Sequence, residues 1–198
     1  HDDALAQSSY IIGCSQSREA IVVDPVRDVD RYMVLADHDG VRITAVAETH
    51  IAADYCSGAR ELALRTGARL YLSGCGGPEA RYTYAADAGA TEVRERDVID
   101  VGMLRLTVVH TPGHSPEHIS LVVTDRATGK HPVGMLTGDF LFCGDVGRPD
   151  LLGVGVLDEA AARAGASALY RTLQRLTPLP DYLQVWPGHG RGPVHARS

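Results

Sequence analysis

The stretch ETHIAADY at residues 48–55 directly follows the apolar run ITAVA at residues 43–47. A β-strand over the apolar run would deliver His50 and Asp54 to one edge of a sheet. A histidine at a strand end is a candidate metal ligand only if other histidine or carboxylate side chains converge on it, because one ligand does not hold a metal ion. For a single histidine in such a place, the favoured interpretation is a hydrogen-bonded polar side chain in a loop.

Three later stretches share this design. Each is a short apolar strand pattern that ends in a glycine-containing turn with a histidine or an aspartate: HTPGH at residues 110–114, LTGD at 136–139 and WPGH at 186–189. Four strand ends of one kind make coincidence a poor explanation. We therefore expect these stretches to meet in one site.

Composition limits the class of protein. With 198 residues, 44% hydrophobic and 22% charged, the chain is predicted to form one domain over residues 1–198 with a full core. The net charge of -6 and the absence of a basic run argue against nucleic acid or an anionic membrane surface as partner. No apolar run has the length of a transmembrane helix, and the acidic start is not a secretory signal.

The four cysteines occur without a CxxC pair, which is typical of reduced thiols in a reducing compartment. This pattern predicts a cytoplasmic protein.

The hydrophobic periodicity predicts an α/β protein with antiparallel or mixed sheets. Residues 73–97 are rich in glycine and are expected to be an irregular surface stretch with one helical turn around residues 79–85. Helices are predicted from residue 28 to Gly40, over 57–66 and over 158–176. Strands are predicted at residues 10–13, 20–25, 43–47, 69–72, 98–101, 104–110, 118–124, 132–137 and 182–186.

The ordered motifs resemble those of the metallo-β-lactamase superfamily, and within it they are most similar to the persulfide dioxygenases. The motifs are THxxxD at 49–54, TPGHSPEH at 111–118, LTGDFLF at 136–142 and WPGHG at 186–190. GDVGRPD at 144–150 and ADYxSGAR at 53–60 are similar to the branch that is fused to a rhodanese domain. The resemblance implies an αββα four-layer sandwich with a metal at one edge.

The resemblance also implies a ligand set. Two-zinc hydrolases of the superfamily use a His-x-His-x-Asp-His motif, whose positions are here His50, Ala52, Asp54 and Tyr55, so two ligands are missing. The persulfide dioxygenases bind one Fe(II) through the residues that match His50, His114 and Asp139, and all three are present.

Two histidines and one carboxylate leave positions on the ion for substrate and O₂. The implied reaction oxidises a thiol persulfide, with glutathione persulfide as the expected substrate, to sulfite and free thiol. Ala52 departs from the histidine that these dioxygenases usually retain.

Other residues have two interpretations. Asp54, Tyr55 and His189, the remnant of a second site, would either hold iron-bound water and orient ligands from outside the coordination sphere or serve as scaffold. Arg148 would bind a substrate carboxylate, or else pair with Asp145 or Asp150.

His110 and His118 are expected to be structural and to hydrogen-bond around the turn at Pro112 and Gly113. Cys143 is expected to be a packed free thiol.

Two other functions remain open. One is a zinc-dependent thioesterase of the hydroxyacylglutathione hydrolase kind, and the other is a non-catalytic protein that binds a thiol. Residues 191–198 depart from the continuation common in persulfide dioxygenases. A rhodanese-type sulfurtransferase partner would be a separate chain or a part outside this sequence, and a homodimer is compatible with the sequence.

Overall fold

A computed structural model describes residues 1–149 and 159–189 of the chain. Its first sheet has five strands in the order β1-β2-β3-β4-β5. Strands β1 and β2 form an antiparallel hairpin, and β2 to β5 run parallel to one another. The strands are β1 (Tyr10–Cys14), β2 (Glu19–Val23), β3 (Arg42–Ala47), β4 (Arg69–Ser73) and β5 (Thr91–Val93).

Two helices make the parallel crossovers. Helix α1 (Asp30–Asp39) links β2 to β3, and α2 (Ala59–Thr66) links β3 to β4. Both end at a glycine in the left-handed conformation, Gly40 and Gly67, which is the usual way in which a helix terminates.

The second sheet has the order β12-β9-β8-β7-β6. From β6 to β9 each strand is antiparallel to the next, while β12 runs parallel to β9. A small hairpin of β10 (Leu141–Phe142) and β11 (Asp145–Val146) and helix α3 (Glu159–Leu176) lie between β9 and β12 in sequence. The strands are β6 (Val98–Val101), β7 (Leu104–His110), β8 (Ile119–Asp125), β9 (Gly134–Gly138) and β12 (Gln184–Pro187).

Successive side chains of a strand point to opposite faces of the sheet, and this alternation forms the buried core on both faces of the first sheet. Ile21 and Val23 of β2 face the second sheet and belong to a buried cluster with Leu106 of β7. Val22 points to the opposite face and packs in another buried cluster with Leu62 of α2. Each fully buried aliphatic side chain contributes roughly 1.5–3 kcal/mol, so the two clusters account for the folding of the domain.

The predicted fold class is confirmed, with two mixed sheets and flanking helices. Three elements were not predicted: β5, which lies inside the stretch expected to be irregular, and the two-residue strands β10 and β11. Around residues 79–85, where one helical turn is predicted, the structure has bends and hydrogen-bonded turns but no regular helix, and the backbone N–H of Ala85 donates to the carbonyl of Tyr82 at 3.1 Å. Residue 158, where the last helix was expected to begin, and the divergent residues 191–198 lie outside the described part.

All four cysteines are free thiols, as predicted, but the packed environment expected for Cys143 is wrong, since this residue is exposed. Within residues 1–149 and 159–189, no helix is long and apolar enough to cross a membrane.

Candidate metal centre

The four strand-end motifs meet at one edge of the molecule. His50 lies just beyond β3, His114 lies in the loop after β7, Asp139 follows β9 directly, and His189 follows β12. Strands β7, β9 and β12 run in the same direction, so their carboxyl ends share an edge of the second sheet. The backbone N–H of Ile119 donates to the carbonyl of Thr49 at 2.8 Å and joins this edge to that of the first sheet.

His50, His114 and Asp139 bring three ligand atoms within 4.8 Å of one another. Asp139 Oδ2 lies 4.0 Å from His50 Nε2 and 3.8 Å from His114 Nε2, distances too long for hydrogen bonds. The donor set therefore fits a metal ion, and two histidines with one carboxylate suit a divalent transition metal.

The ring of His50 is oriented through Thr49 and Asp24. Thr49 donates its backbone N–H to Asp24 Oδ1 at 2.7 Å and its hydroxyl to Asp24 Oδ2 at 2.8 Å. Because the Thr49 hydroxyl donates its proton to Asp24, Thr49 Oγ1 accepts from His50 Nδ1, which lies 2.9 Å away. The Nε2 lone pair of His50 is thereby left facing Asp139.

Burial shifts the pKa of His50 and of Asp24, the two groups at the ends of this chain of hydrogen bonds. It lowers the pKa of His50 to about 4, so the imidazole is neutral at pH 7, as a metal ligand must be. Burial raises the pKa of Asp24 to about 7, although the hydrogen bonds from Thr49 act in the opposite direction.

Asp139 is held by His118. The backbone N–H of Asp139 donates to His118 Nε2 at 3.1 Å, so the ring proton of His118 is on Nδ1 and is donated to Thr111 Oγ1 at 2.8 Å. Burial lowers the pKa of His118 well below its usual value, which keeps the ring neutral. His118 thus hydrogen-bonds around the turn as predicted, and so does His110, whose Nε2 lies 2.8 Å from the carbonyl of Pro116.

His189 bridges two carboxylates. Its Nδ1 lies 2.6 Å from Asp139 Oδ1 and its Nε2 lies 3.0 Å from Asp54 Oδ2. Burial alone would lower the pKa of His189, but the hydrogen bonds to Asp139 and Asp54 outweigh it and raise the pKa to about 10. Asp139 is also buried, yet the hydrogen bond from His189 lowers its pKa. The groups that could hold a second metal are therefore bonded to one another.

The two altered motif positions offer no imidazole. Ala52 presents a methyl group, and the half-buried Tyr55 packs against the cluster between the first sheet and its helices. Burial raises the pKa of the Tyr55 phenol, and the neighbouring carboxylates Asp24 and Glu48 act in the same direction. The assignment of Asp54, Tyr55 and His189 to positions outside the coordination sphere stays a prediction.

Arg148 is half-buried and follows Gly147. A side chain at Gly147 would collide with the carbonyl of Asp139 and lie 3.0 Å from His114 Cβ, so the backbone before Arg148 packs directly on two candidate ligands. Its role toward a substrate stays a prediction.

A groove of about 650 Å³ opens beside the site. Ile51 and Ser115, which follow the two candidate histidine ligands, form one wall, and Ala164 and Ala168 of α3 form another. The lining is mainly apolar, so it suits the carbon skeleton of an organic substrate.

Sequence reasoning missed Asp24 and Glu117, whose carboxylates hydrogen-bond to Thr49 and Ile51, the two neighbours of His50. The sequence position of Asp24 could have indicated its role. It is an acidic residue directly after β2, and the carboxyl end of β2 lies at the same edge as that of β3.

A largely buried set of two histidines and one carboxylate at the shared edge of two mixed sheets is typical of a metal-binding α/β protein. The chain matches the metallo-beta-lactamase superfamily over residues 2–189, and it belongs to that superfamily.

Relatives with two different activities are similar to the chain. It is 28% identical over 184 residues to persulfide dioxygenase ETHE1, mitochondrial, of Homo sapiens, with 91% of this chain and 63% of that protein covered. It is 33% identical over 187 residues to hydroxyacylglutathione hydrolase of Tolumonas auensis, with 92% and 62% covered. The chain thus spans less than two thirds of either relative's length.

A solved metallo-beta-lactamase from Staphylococcus aureus subsp. aureus COL superposes with a TM-score of 0.89 at 42% identity, covering 98% of this chain and 55% of that one. This likeness supports the fold and the superfamily. The rhodanese-fused branch stays a prediction.

Proposed function

We propose that the protein is an iron-dependent persulfide dioxygenase that acts on a low-molecular-weight thiol persulfide, with glutathione persulfide as the expected substrate. The observation that carries the proposal is the ligand set of His50, His114 and Asp139, the one such set among the described residues, beside Ala52 and Tyr55 where a two-zinc site needs histidines. The overall reaction consumes one persulfide, one O₂ and one water and yields one thiol and one sulfurous acid, which ionises to sulfite.

In this proposal, the side chains of the protein hold the metal ion and fix its position. His50 and His114 would provide nitrogen donors, and Asp139 would provide Oδ2 while its Oδ1 pairs with His189. A bound Fe(II) would supply the redox chemistry with O₂, and three protein ligands leave room on it for O₂ and the terminal sulfur. No protein nucleophile or general base is required.

The groove would hold a substrate beside this site, since Ile51 and Ser115 in its lining are the direct neighbours of His50 and His114. Its apolar walls would hold the carbon chain of the thiol, and Arg148 would pair with a carboxylate of a glutathione-type molecule.

The similarity to hydroxyacylglutathione hydrolase favours a zinc-dependent thioesterase as second candidate. Hydrolysis by a two-metal site needs ligands that Ala52 and Tyr55 do not offer, and the Asp54–His189–Asp139 bridge occupies the remaining ones. We therefore rank it below the dioxygenase.

The test starts with metal analysis of protein purified without added metal, where one ion per chain is expected. Anaerobically loaded Fe(II) and Zn(II) forms are then given glutathione persulfide with O₂ and, separately, a hydroxyacylglutathione thioester. Sulfite formed in equal amount to the O₂ consumed, only with iron, supports the proposal. Thioester hydrolysis by the zinc form without O₂ uptake by the iron form would establish the hydrolase instead. Thiol binding without either reaction would indicate a non-catalytic protein.

A further inference from the structure

We propose that Glu117 is a positioning residue that fixes the distance between the two histidine ligands. The inference rests on the proposed function only in that His50 and His114 must bind a metal. It does not depend on which metal or which reaction.

A single oxygen of Glu117 connects the two histidine loops. Glu117 is 2% exposed, and its Oε1 accepts the backbone N–H of Ile51 at 2.9 Å and the hydroxyl of Ser115 at 2.9 Å. Ile51 follows His50 and Ser115 follows His114. Any shift of the carboxylate would therefore displace the backbone of Ile51 and the side chain of Ser115, the two residues that follow the candidate ligands.

Glu117 itself has a rigid support. Its carbonyl accepts the hydroxyl of Ser73, at the end of β4, at 2.5 Å. The backbone of Gly76, with φ +84°, lies so close that an added Cβ would be 2.8 Å from the Glu117 nitrogen. Since the next residue, His118, holds the backbone of Asp139, two consecutive residues reach all three candidate ligands.

The chemistry of the side chain matters for this task. A carboxylate oxygen accepts two donors at once, and hydrogen bonds to an ionised acceptor are stronger than neutral ones. Glutamine keeps a carbonyl oxygen in the same place, whereas alanine leaves the Ile51 N–H without its acceptor. Without that acceptor, the loop that carries His50 would no longer be tied to the loop that carries His114.

The experiment compares Glu117→Ala, Glu117→Gln and Ser115→Ala with Glu79→Ala, which removes an exposed carboxylate from the lining of the same groove. Each protein is stripped of metal, its melting temperature is recorded, and the dissociation constants for Co²⁺ and Zn²⁺ are measured against a chromophoric chelator. The absorption bands of bound Co²⁺ report the ligand geometry.

We expect Glu117→Ala to weaken metal binding by about 10 to 100-fold, the range typical of groups that orient ligands, and to alter the Co²⁺ bands. Glu117→Gln should restore most of the affinity, Ser115→Ala should give a smaller loss than Glu117→Ala, and Glu79→Ala should match the parent.

A folded Glu117→Ala protein with a lower melting temperature but parental metal affinity would overturn the inference, because the residue would then serve stability alone. If Glu117→Ala does not fold, Ser115→Ala decides: weakened binding supports the positioning role, and parental binding overturns it. The measurement uses neither persulfide nor O₂, so a parent that binds metal but oxidises nothing would refute the dioxygenase and leave this test intact. A parent that binds no metal would refute both.

Discussion

At the scale of residues, each candidate ligand differs in how firmly it is held. His50 is oriented by Thr49, and Asp139 is held by His118 and His189. His114 Nδ1 is buried and has no hydrogen-bond partner among the residues the structure describes. The orientation of His114 therefore depends on packing, whereas those of the other two depend on hydrogen bonds.

We expect Asp24→Asn to weaken metal binding by about 10-fold or more, although its shape is unchanged. The amide would accept the Thr49 N–H and donate to the Thr49 hydroxyl, which would then donate to His50 Nδ1 and shift the ring proton to Nε2. Nitrogen NMR of His50 and a metal titration measure the two effects. Asp37→Asn on the exposed side of α1 is the control. An unchanged tautomer together with parental affinity would contradict the expectation.

His189 makes the metal-free protein sensitive to alkali. Its pKa is raised from 6.5 to about 10, so the folded state binds the proton more tightly than the unfolded state does. This stabilisation is complete below about pH 6.5 and is lost as the pH rises through about 10. The stability difference between the parent and His189→Gln, from denaturant unfolding at several pH values, should shrink over that window. A difference that stays constant would mean that the proton of His189 is not linked to folding.

Two substitutions distinguish a proposed metal ligand, His114, from Ala52, a motif position that has no histidine. His114→Ala removes one of three proposed ligands, so iron affinity should fall by at least about 10 to 100-fold, the range for losses outside the coordination sphere. Ala52→His should leave iron binding intact, because the set is complete without it. Bound iron and O₂ consumption with persulfide are measured after anaerobic loading. Full iron and full turnover in His114→Ala would refute the ligand set. Turnover in Ala52→His alone would indicate that the natural chain is a binding protein descended from an enzyme.

At the scale of secondary-structure elements, the sequence predicts the ends of the strands that precede the candidate ligands. The apolar strands before His50, His114 and Asp139 are five to seven residues long and end near glycine or polar turns, so both their period and their end are visible in sequence. Strand β5 has three residues, of which only Val93 is buried, and such a segment shows no period. β10 and β11, with two residues each, are shorter still.

The supporting residues were not predictable from local pattern. Asp24 reaches Thr49 only because β2 and β3 pair in parallel with Val23 beside Ala47, a register that spans a whole crossover helix. Glu117 reaches Ile51 across two sheets. Hydrogen bonds between distant segments leave no periodic trace in the sequence.

The backbone at the end of β9 is tightly packed, and a substitution of Gly138 tests how much this packing contributes to stability. Gly138 has φ +47°, and a Cβ there would collide with Thr49 Oγ1 and lie 2.7 Å from His118 Nε2. We expect Gly138→Ala to destabilise the protein by about 1–3 kcal/mol through overpacking, in addition to the backbone strain, and to weaken metal binding. Gly89→Ala is the matched control, since φ is +61° but the space is open, and it should show only the strain of about 1–2 kcal/mol. Equal losses from chemical denaturation would show that the contacts of Gly138 are not tight.

At the scale of the whole molecule, the folding energy and the metal site are separate. One buried cluster lies between the two sheets and another lies between the first sheet and its helices α1 and α2. The candidate ligands lie in the loops beyond these clusters, at one edge. In small metal-dependent domains the ligands replace a core, whereas here the core is complete without them.

We therefore expect the protein to fold without metal. A metal at 100 times its dissociation constant adds about 2.7 kcal/mol, which for a chain of this size raises the melting temperature by roughly 5–10 °C. Thermal unfolding is followed by circular dichroism in chelator and in excess Zn²⁺, with His114→Ala as the control whose melting temperature should respond weakly to metal. A cooperative transition well above 25 °C in chelator is expected, because the two clusters remain buried whether or not the edge is occupied. Loss of that transition at 25 °C would mean that the histidine loops hold the two sheets together, and that the metal belongs to the folding of the domain as well as to its chemistry.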